Sequence, residues 1–202
     1  HKRKQMEDQV RQLAFYDPLT KLPNRRLLHD RFSQLMAISK RSGCYGAVMF
    51  LDLDNFKPLN DQYGHGVGDL LLMQAADRLR SCVRASDTVA RFGGDEFVVL
   101  VSELLADRPA SVHQAQLIAE NIRSALSQAY QLTIQRESNA TTTVEHLCTV
   151  SIGVALFIGH EASQDDVLKW ADQTMYQAKE AGRNQIRFHA VHDGAAQPVV
   201  YQ

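Results

Sequence analysis

Two adjacent carboxylates, Asp95 and Glu96, follow two glycines in the run Arg91-Phe92-Gly93-Gly94-Asp95-Glu96-Phe97. Apolar segments lead in (Thr88 to Phe92) and lead out (Phe97 to Val101), so the run predicts a β-hairpin with the acids at its tip. The glycines open its backbone to close approach, and carboxylates on such a turn suit a hard divalent cation carrying a polyphosphate. An ordinary turn with solubilising acids has the same local pattern. A third acid, Asp52, lies near the end of the almost wholly apolar run Ala47 to Leu53, which predicts a strand buried on both faces. An acid in that position costs free energy unless it meets a cation or hydrogen-bond donors. Asp54, just beyond, reads first as the N-cap of a short following helix, ahead of metal binding.

The elements that must position these acids follow from periodicity. Lys2 to Phe15 is polar with apolar residues at Met6, Val10 and Leu13, which predicts an exposed helix or the end of a coiled coil, broken at Asp17-Pro18. Asn24 is placed to cap a second helix with Leu28, Phe32, Leu35 and Met36 on one face, ending at Ser42-Gly43. Gly64-His65-Gly66-Val67-Gly68 reads as a glycine-rich loop that fits neither the Walker nor the Rossmann phosphate pattern. Further helices are predicted over Asp69 to Val83, Val112 to Ala129 and Asp165 to Ala181, the last closed by Gly182. The threonine-rich stretch Gln135 to Thr143 reads as a long loop or surface hairpin, Leu147 to Phe157 as a strand, and Ile186 to Phe188 as a short last strand. Helices alternate with strands around an antiparallel hairpin, so the expected fold is an α/β (α+β) sandwich: one mixed central sheet flanked by helices. The expected division is a linker helix over 1–16, one domain over 17–189 and a weakly ordered tail over 190–202.

Composition narrows the function classes. The 202 residues are 45% apolar and 22% charged, as in an ordinary globular domain, and the net charge of −1 gives no electrostatic case for a nucleic-acid partner. Cys44, Cys82 and Cys148 are odd in number and far apart, which argues against a disulfide framework or zinc site and for a reducing compartment. No apolar run approaches the roughly 18 residues of a membrane span, so this segment is expected to make no membrane contact. A chain starting at His1 rather than methionine reads as a piece of a longer protein and is expected to be cytoplasmic, as the cytoplasmic part of a membrane-anchored sensor would be.

Six ordered motifs then carry a family resemblance. They are Asp17 to Arg26 (DPLTKLPNRR), Asp52 to Asp61 (DLDNFKPLND), Gly64 to Asp69 (GHGVGD), Arg91 to Phe97, Val150 to Ala155 (VSIGVA) and Tyr176 to Asn184 (YQAKEAGRN). Together they resemble the GGDEF domain of diguanylate cyclases, bacterial enzymes that condense two GTP into cyclic di-GMP with release of pyrophosphate. The resemblance implies a nucleotidyl-cyclase or palm-like sheet with the hairpin tip in the active site. It also implies two Mg²⁺ per site, with Mn²⁺ as a substitute, held by Asp52, the Leu53 carbonyl, Asp95 and Glu96. Asp95 is the family's usual candidate for general base, although a metal-bound carboxylate is a weak base. Lys57 is implied as a phosphate contact and transition-state stabiliser, and Gly93 and Gly94 would let the hairpin backbone meet the phosphates. Lys179 and Arg183 would reach the triphosphate, where local chemistry alone suggests pairing with a helix C-terminus. Asn60 and Asp69 resemble the guanine readers, with His65 nearby. Arg84 and Asp87, an Arg-x-x-Asp ahead of the hairpin, match the family's product-inhibition site.

Catalysis in the family requires a homodimer, because each domain holds one GTP. The competing expectation is a catalytically weak domain that binds GTP or cyclic di-GMP as a regulatory module, and a third is a purely dimerising partner. The chain departs from the usual pattern in Asp95 where many relatives carry Glu, in Lys21 where glycine is common, and in a longer polar segment before Leu147.

Overall fold

The computed structural model describes residues 1–135 and 137–190, apart from the side chain of His65. Helix α1 (Lys2–Phe15) buries none of its residues, and Met6, Val10 and Leu13 are 65%, 65% and 71% exposed along it. Helix α2 (Arg25–Ser42) starts behind Asn24, whose side chain accepts the Leu27 amide at 3.1 Å, and buries Leu28, Phe32, Leu35 and Met36. Then follow β1 (Gly46–Leu53), α3 (Phe56–Tyr63), α4 (His65–Cys82), β2 (Thr88–Gly93), β3 (Glu96–Val101) and α5 (Arg108–Leu126). The chain continues through β4 (Tyr130–Gln135), β5 (Thr141–His146), β6 (Val150–Phe157), α6 (Gln164–Glu180) and β7 (Ile186–Phe188).

Five strands form one sheet in the order β2-β3-β1-β6-β7, antiparallel except for the parallel pair β6 and β7. The sheet is therefore mixed, as expected. Strand β1 is central, and its side chains alternate between two cores. Ala47, Met49, Leu51 and Leu53 join α3, α4 and α5, whereas Val48 and Phe50 join α2 and α6. That two-sided burial explains the continuous apolar run. The central strand carries Asp52 at one end of the sheet, beside the β2–β3 turn.

Three local expectations need correction. Asp54 does not cap α3: Asn55, with φ 56, holds that position without a side-chain cap, and Asp54 is buried. The glycine-rich loop is instead the first turn of α4, which begins at His65. Helix α5 begins at Arg108, four residues before Val112, because Asp107 accepts the Ala110 amide and Pro109 suits the first turn. Of the two forms expected for the threonine-rich segment, the surface hairpin is the one formed: it is the tip and the start of the second strand of the two-stranded β4–β5 hairpin. Most of the expected tail lies outside the described residues. His189, just ahead of it, donates its amide to the Val154 carbonyl at 2.8 Å and stacks on Trp170 at 4.7 Å.

Candidate active site

Strand register brings the predicted acids together. Asp52 on β1 sits opposite Glu96 on β3 and opposite Ser151 on β6. The Leu53 amide donates to the Asp95 carbonyl at 3.2 Å, which draws the hairpin turn onto the end of β1. In that turn Gly93 and Gly94 have φ of 143 and 51, values that glycine adopts without Cβ strain, and nothing lies within 4 Å of where a side chain would start. The tip is thus exposed backbone with carboxylates on its inner side.

Lys179, from the last turn of α6, enters this group. Its Nζ lies 2.8 Å from Asp52 Oδ1, 3.4 Å from Asp54 Oδ1 and 3.4 Å from the Leu53 carbonyl. A single ammonium touches both acids and the carbonyl at the end of β1. Burial pushes Asp52 up to about 6, and the neighbouring Asp95 adds to this against the pull of Lys179. Glu96 is also raised, by burial first and then by Asp52 and Asp172, against Arg25 and Lys179. Burial is the larger cause for both acids, and neighbouring carboxylates add to it.

Asp54 differs from Asp52 although only one residue separates them. Its Oδ2 accepts from the Thr149 hydroxyl at 2.7 Å and the Asn184 amide at 3.0 Å, and its Oδ1 from the Ser151 hydroxyl at 2.7 Å. Its own amide donates to the Thr149 carbonyl at 2.8 Å. Asp54 thereby ties the end of β1 to β6 and to the turn after α6, the turn that carries Arg183. Sequence reasoning missed this role. A faint signal was present in Ser151, a hydroxyl inside the otherwise apolar β6.

Arg91 and Asp17 were missed too. Arg91 donates to the Gly94 carbonyl from Nε at 3.1 Å and from Nη2 at 2.9 Å, and its Nη1 reaches both Asp17 oxygens at 3.2 Å. Asp17 also accepts the Thr20 amide and hydroxyl at 2.8 and 2.7 Å. The hairpin tip is thus braced against the turn that follows α1.

The other expected site residues lie on α3, on α4 and in the turn after α6. Lys57 is exposed in the first turn of α3, Asn60 is half-buried on the same helix, and Asp69 is exposed on α4. Asn60 Oδ1 is buried without a partner among the described residues and presses against Gly68, where a Cβ would collide with it. Arg183 is exposed after α6, and the His65 side chain lies outside the described residues. Arg84 and Asp87 are not part of this group. They precede β2 at the end opposite the hairpin tip, about 20 Å away by strand length.

Asp52, Asp95, Glu96 and the Leu53 carbonyl form a hard-oxygen donor set. No three His, Cys, Asp or Glu side chains converge as a metal cage among the described residues. Mg²⁺ characteristically takes one or two carboxylates plus substrate phosphates, and the chemistry of these oxygen donors fits it.

A mixed sheet layered with helices, with an acid-tipped hairpin beside an acid-ended central strand, defines the GGDEF class. The family model for "Diguanylate cyclase, GGDEF domain" matches residues 14–185, and the chain belongs to that family. It is 45% identical over 173 residues to the bifunctional diguanylate cyclase/cyclic di-GMP phosphodiesterase MucR of Pseudomonas aeruginosa, covering 86% of this chain and 23% of that protein. It is 38% identical over 179 residues to the cyclic di-GMP phosphodiesterase NbdA of the same organism, covering 89% of this chain and 21% of NbdA. The chain thus spans under a quarter of either protein. The GGDEF domain of TpbB (YfiN) from P. aeruginosa superimposes with a TM-score of 0.71 at 35% identity, covering 87% of this chain and 94% of that one. The coiled coil and GGDEF domain of DgcB from Caulobacter crescentus, solved with cyclic di-GMP, superimposes with a TM-score of 0.76 at 28% identity, covering 93% and 92%.

Proposed function

We propose that this domain is a Mg²⁺-dependent diguanylate cyclase that joins two GTP into cyclic di-GMP and releases pyrophosphate. The observation that carries the reading is the meeting of Asp52 with Glu96 across the β1–β3 register, with Asp95 in the adjoining turn and Lys179 2.8 Å from Asp52. In each half-reaction the 3′-oxygen of one GTP attacks the α-phosphorus of the other, the α–β P–O bond breaks, and the 3′-proton leaves. Mg²⁺ held by Asp52, the Leu53 carbonyl, Asp95 and Glu96 would acidify the 3′-hydroxyl and neutralise phosphate charge. The remaining work falls to the chain's own groups. Asp95 is placed at the hairpin tip to take the 3′-proton or to hand it to water. The Gly93–Gly94 backbone lets the phosphates approach closely, and Lys57, Lys179 and Arg183 supply positive charge to the triphosphate.

Guanine selection is assigned to Asn60 and Asp69, with His65 beside them. Asn60 is half-buried on α3 against Gly68 of α4, and its amide carries both a donor and an acceptor for a base edge. Two such domains must face each other, since one domain presents one GTP to one hairpin. The exposed Met6, Val10 and Leu13 stripe on α1 supports pairing upstream of the domain. Arg84 and Asp87 are assigned to product inhibition.

Incubation with GTP and Mg²⁺, at high protein concentration and with enforced dimerisation, tests the reading by chromatography of the products. Cyclic di-GMP and pyrophosphate are expected. Their absence sinks the cyclase reading. GTP binding without turnover would instead establish a regulatory module, the second reading that similarity to the phosphodiesterase NbdA motivates. No nucleotide binding would leave a dimerising partner.

A further inference from the structure

Resting on the cyclase reading above, we infer that Arg25, the first residue of α2, acts across the twofold axis: it grips a phosphate oxygen of the GTP held by the facing domain.

Nothing in its own helix accounts for Arg25. It stands in the first turn of α2, where the partial positive charge of the helix N-terminus disfavours a cation. It is exposed and has no hydrogen bond or ion pair among the described residues. The guanidinium lies instead over the ring of Phe92, 4.4 Å from its centroid. Phe92 immediately precedes the two glycines of the hairpin tip, and its ring meets Phe50 of β1 edge to face at 5.6 Å. The Arg91 amide donates to the Pro23 carbonyl at 3.0 Å, which ties β2 to the turn ahead of α2. Arg25 is thus parked on the base of the hairpin with its N–H donors unused, and its charge acts on Glu96. A guanidinium already stacked on an aromatic face loses little further freedom when its fork meets a phosphate.

Position along the sheet separates Arg25 from the other cations of the site. Val48 and Phe50 face α2 and α6, and strand alternation puts Asp52, with Glu96 opposite it, on that same face. In the order β2-β3-β1-β6-β7, Lys179 and Arg183 come from α6 and the turn before β7, on the β6 side of the acids. Arg25 comes from α2, which packs on β2 at the opposite edge. A triphosphate drawn to Lys179 and Arg183 leaves Arg25 free at the other edge of the acid group. That edge is open to the second nucleotide, whose α-phosphorus must meet the 3′-oxygen of the first. In each half-reaction one 3′-O–P bond forms, the α–β P–O bond breaks, the 3′-proton leaves and pyrophosphate departs. Charge gathers on the phosphate oxygens meanwhile, and a guanidinium fork stabilises it there.

The test compares cyclic di-GMP formation by the wild-type chain, Arg25→Ala and Arg25→Lys at saturating GTP and Mg²⁺, with circular dichroism to confirm folding. Arg25→Ala is expected to lower kcat roughly ten- to a hundredfold, as loss of one charge-assisted contact does, and Arg25→Lys to recover part of it. A mixed dimer then separates a contact across the axis from one within the domain. Arg25→Ala and Asp52→Asn chains are paired through a heterodimeric coiled coil fused ahead of α1. The Arg25→Ala chain keeps its metal-binding acids and is met by the partner's Arg25. One phosphodiester therefore forms, and the linear dinucleotide with its 5′-triphosphate accumulates at close to the wild-type rate of bond formation. Full activity of Arg25→Ala overturns the proposal. So does a mixed dimer that yields no linear dinucleotide above the Arg25→Ala rate, because the contact then lies within the domain. If the wild-type chain makes no cyclic di-GMP, the cyclase reading itself falls and the role of Arg25 with it.

Discussion

Asp52 and Asp54 lie two positions apart at the end of one strand, yet replacement by asparagine is expected to move stability in opposite directions. Asp54 is 1% exposed, accepts from Thr149, Ser151 and the Asn184 amide, and has the Lys179 ammonium 3.4 Å from Oδ1. Asparagine keeps one acceptor oxygen and turns an NH₂ toward the other pair of donors. The hydroxyls of Thr149 and Ser151 can rotate to accept, but the Asn184 N–H and Lys179 only donate, so one donor on either side is left facing a donor. Breaking a buried charge network of this kind costs about 3–5 kcal/mol, or a fall in Tm of about 6–20 °C for a domain of this size.

Asp52 runs the other way. Its folded carboxyl titrates near 6 against an ordinary 3.8, chiefly through burial, so folding favours the protonated form. Between those values the folded chain holds a proton that the unfolded chain has lost, and stability falls as pH rises through the window. Asp52→Asn removes that slope. At pH 7, without metal, it should leave stability unchanged or raise it by up to ~1–2 kcal/mol after solvent screening, while abolishing turnover. Lys179 is not orphaned by the change, since Asp54 and the Leu53 carbonyl still hold it. Urea melts of both variants from pH 4 to 8, with unchanged m-values, provide the measurement. An Asp54→Asn cost below about 1 kcal/mol, or equal costs for the two variants, would refute the division into a frame acid and a site acid.

Arg91→Ala frees the Gly94 carbonyl and leaves the Asp17 carboxylate, 16% exposed, without its guanidinium; a loss of about 1–3 kcal/mol and slower turnover are expected in melts and cyclase assays. Burial tends to raise Asp17, but the Thr20 amide and hydroxyl and Arg91 outweigh it, so its contribution is present above the ordinary 3.8 and lost as pH falls below it. Asp17→Asn should accordingly flatten the acid limb of the stability curve below about pH 4. Lys21 has φ 61, a left-handed conformation disfavoured for a residue with a Cβ, and Lys21→Gly should raise stability by about 0.5–1 kcal/mol in thermal melts where Lys21→Ala does not. Asp69→Ala should narrow the preference for GTP over ATP roughly ten- to a hundredfold in competition binding, since a site built on a purine hydrogen bond loses its discrimination with that bond.

Features settled by a few neighbouring residues were legible in the sequence. The β2–β3 hairpin followed from its glycines and flanking β-rich runs, α2 from Asn24 and a regular apolar face, and β1 from unbroken hydrophobicity. The hairpin and β1 are the elements that carry Asp52, Asp95 and Glu96, so the neighbourhood of these acids was legible from local pattern alone. The glycine-rich stretch misled because glycine marks loops far more often than the first turn of a helix. Here Gly68 lies in that turn, and its missing Cβ gives Asn60 its place.

Asp54 shows why the remainder was not legible. An aspartate just ahead of a helix satisfies every local criterion for an N-cap. Its actual partners, Thr149, Ser151 and Asn184, come from β6 and the turn after α6, and only the β1–β6 register brings them near. Lys179 poses the same problem in reverse. Its place in the last turn of α6 suits the helix dipole, and the sheet then brings its ammonium to Asp52, a contact that the local pattern could not show. The difference between the two acids lies in how fully each is bonded. Asp54 has its oxygens saturated by fixed donors, and it stiffens the base from which the site projects. Asp52 has only Lys179 and a neighbouring carboxylate, and the electrostatic cost of that deficit is what a cation bringing phosphates would relieve.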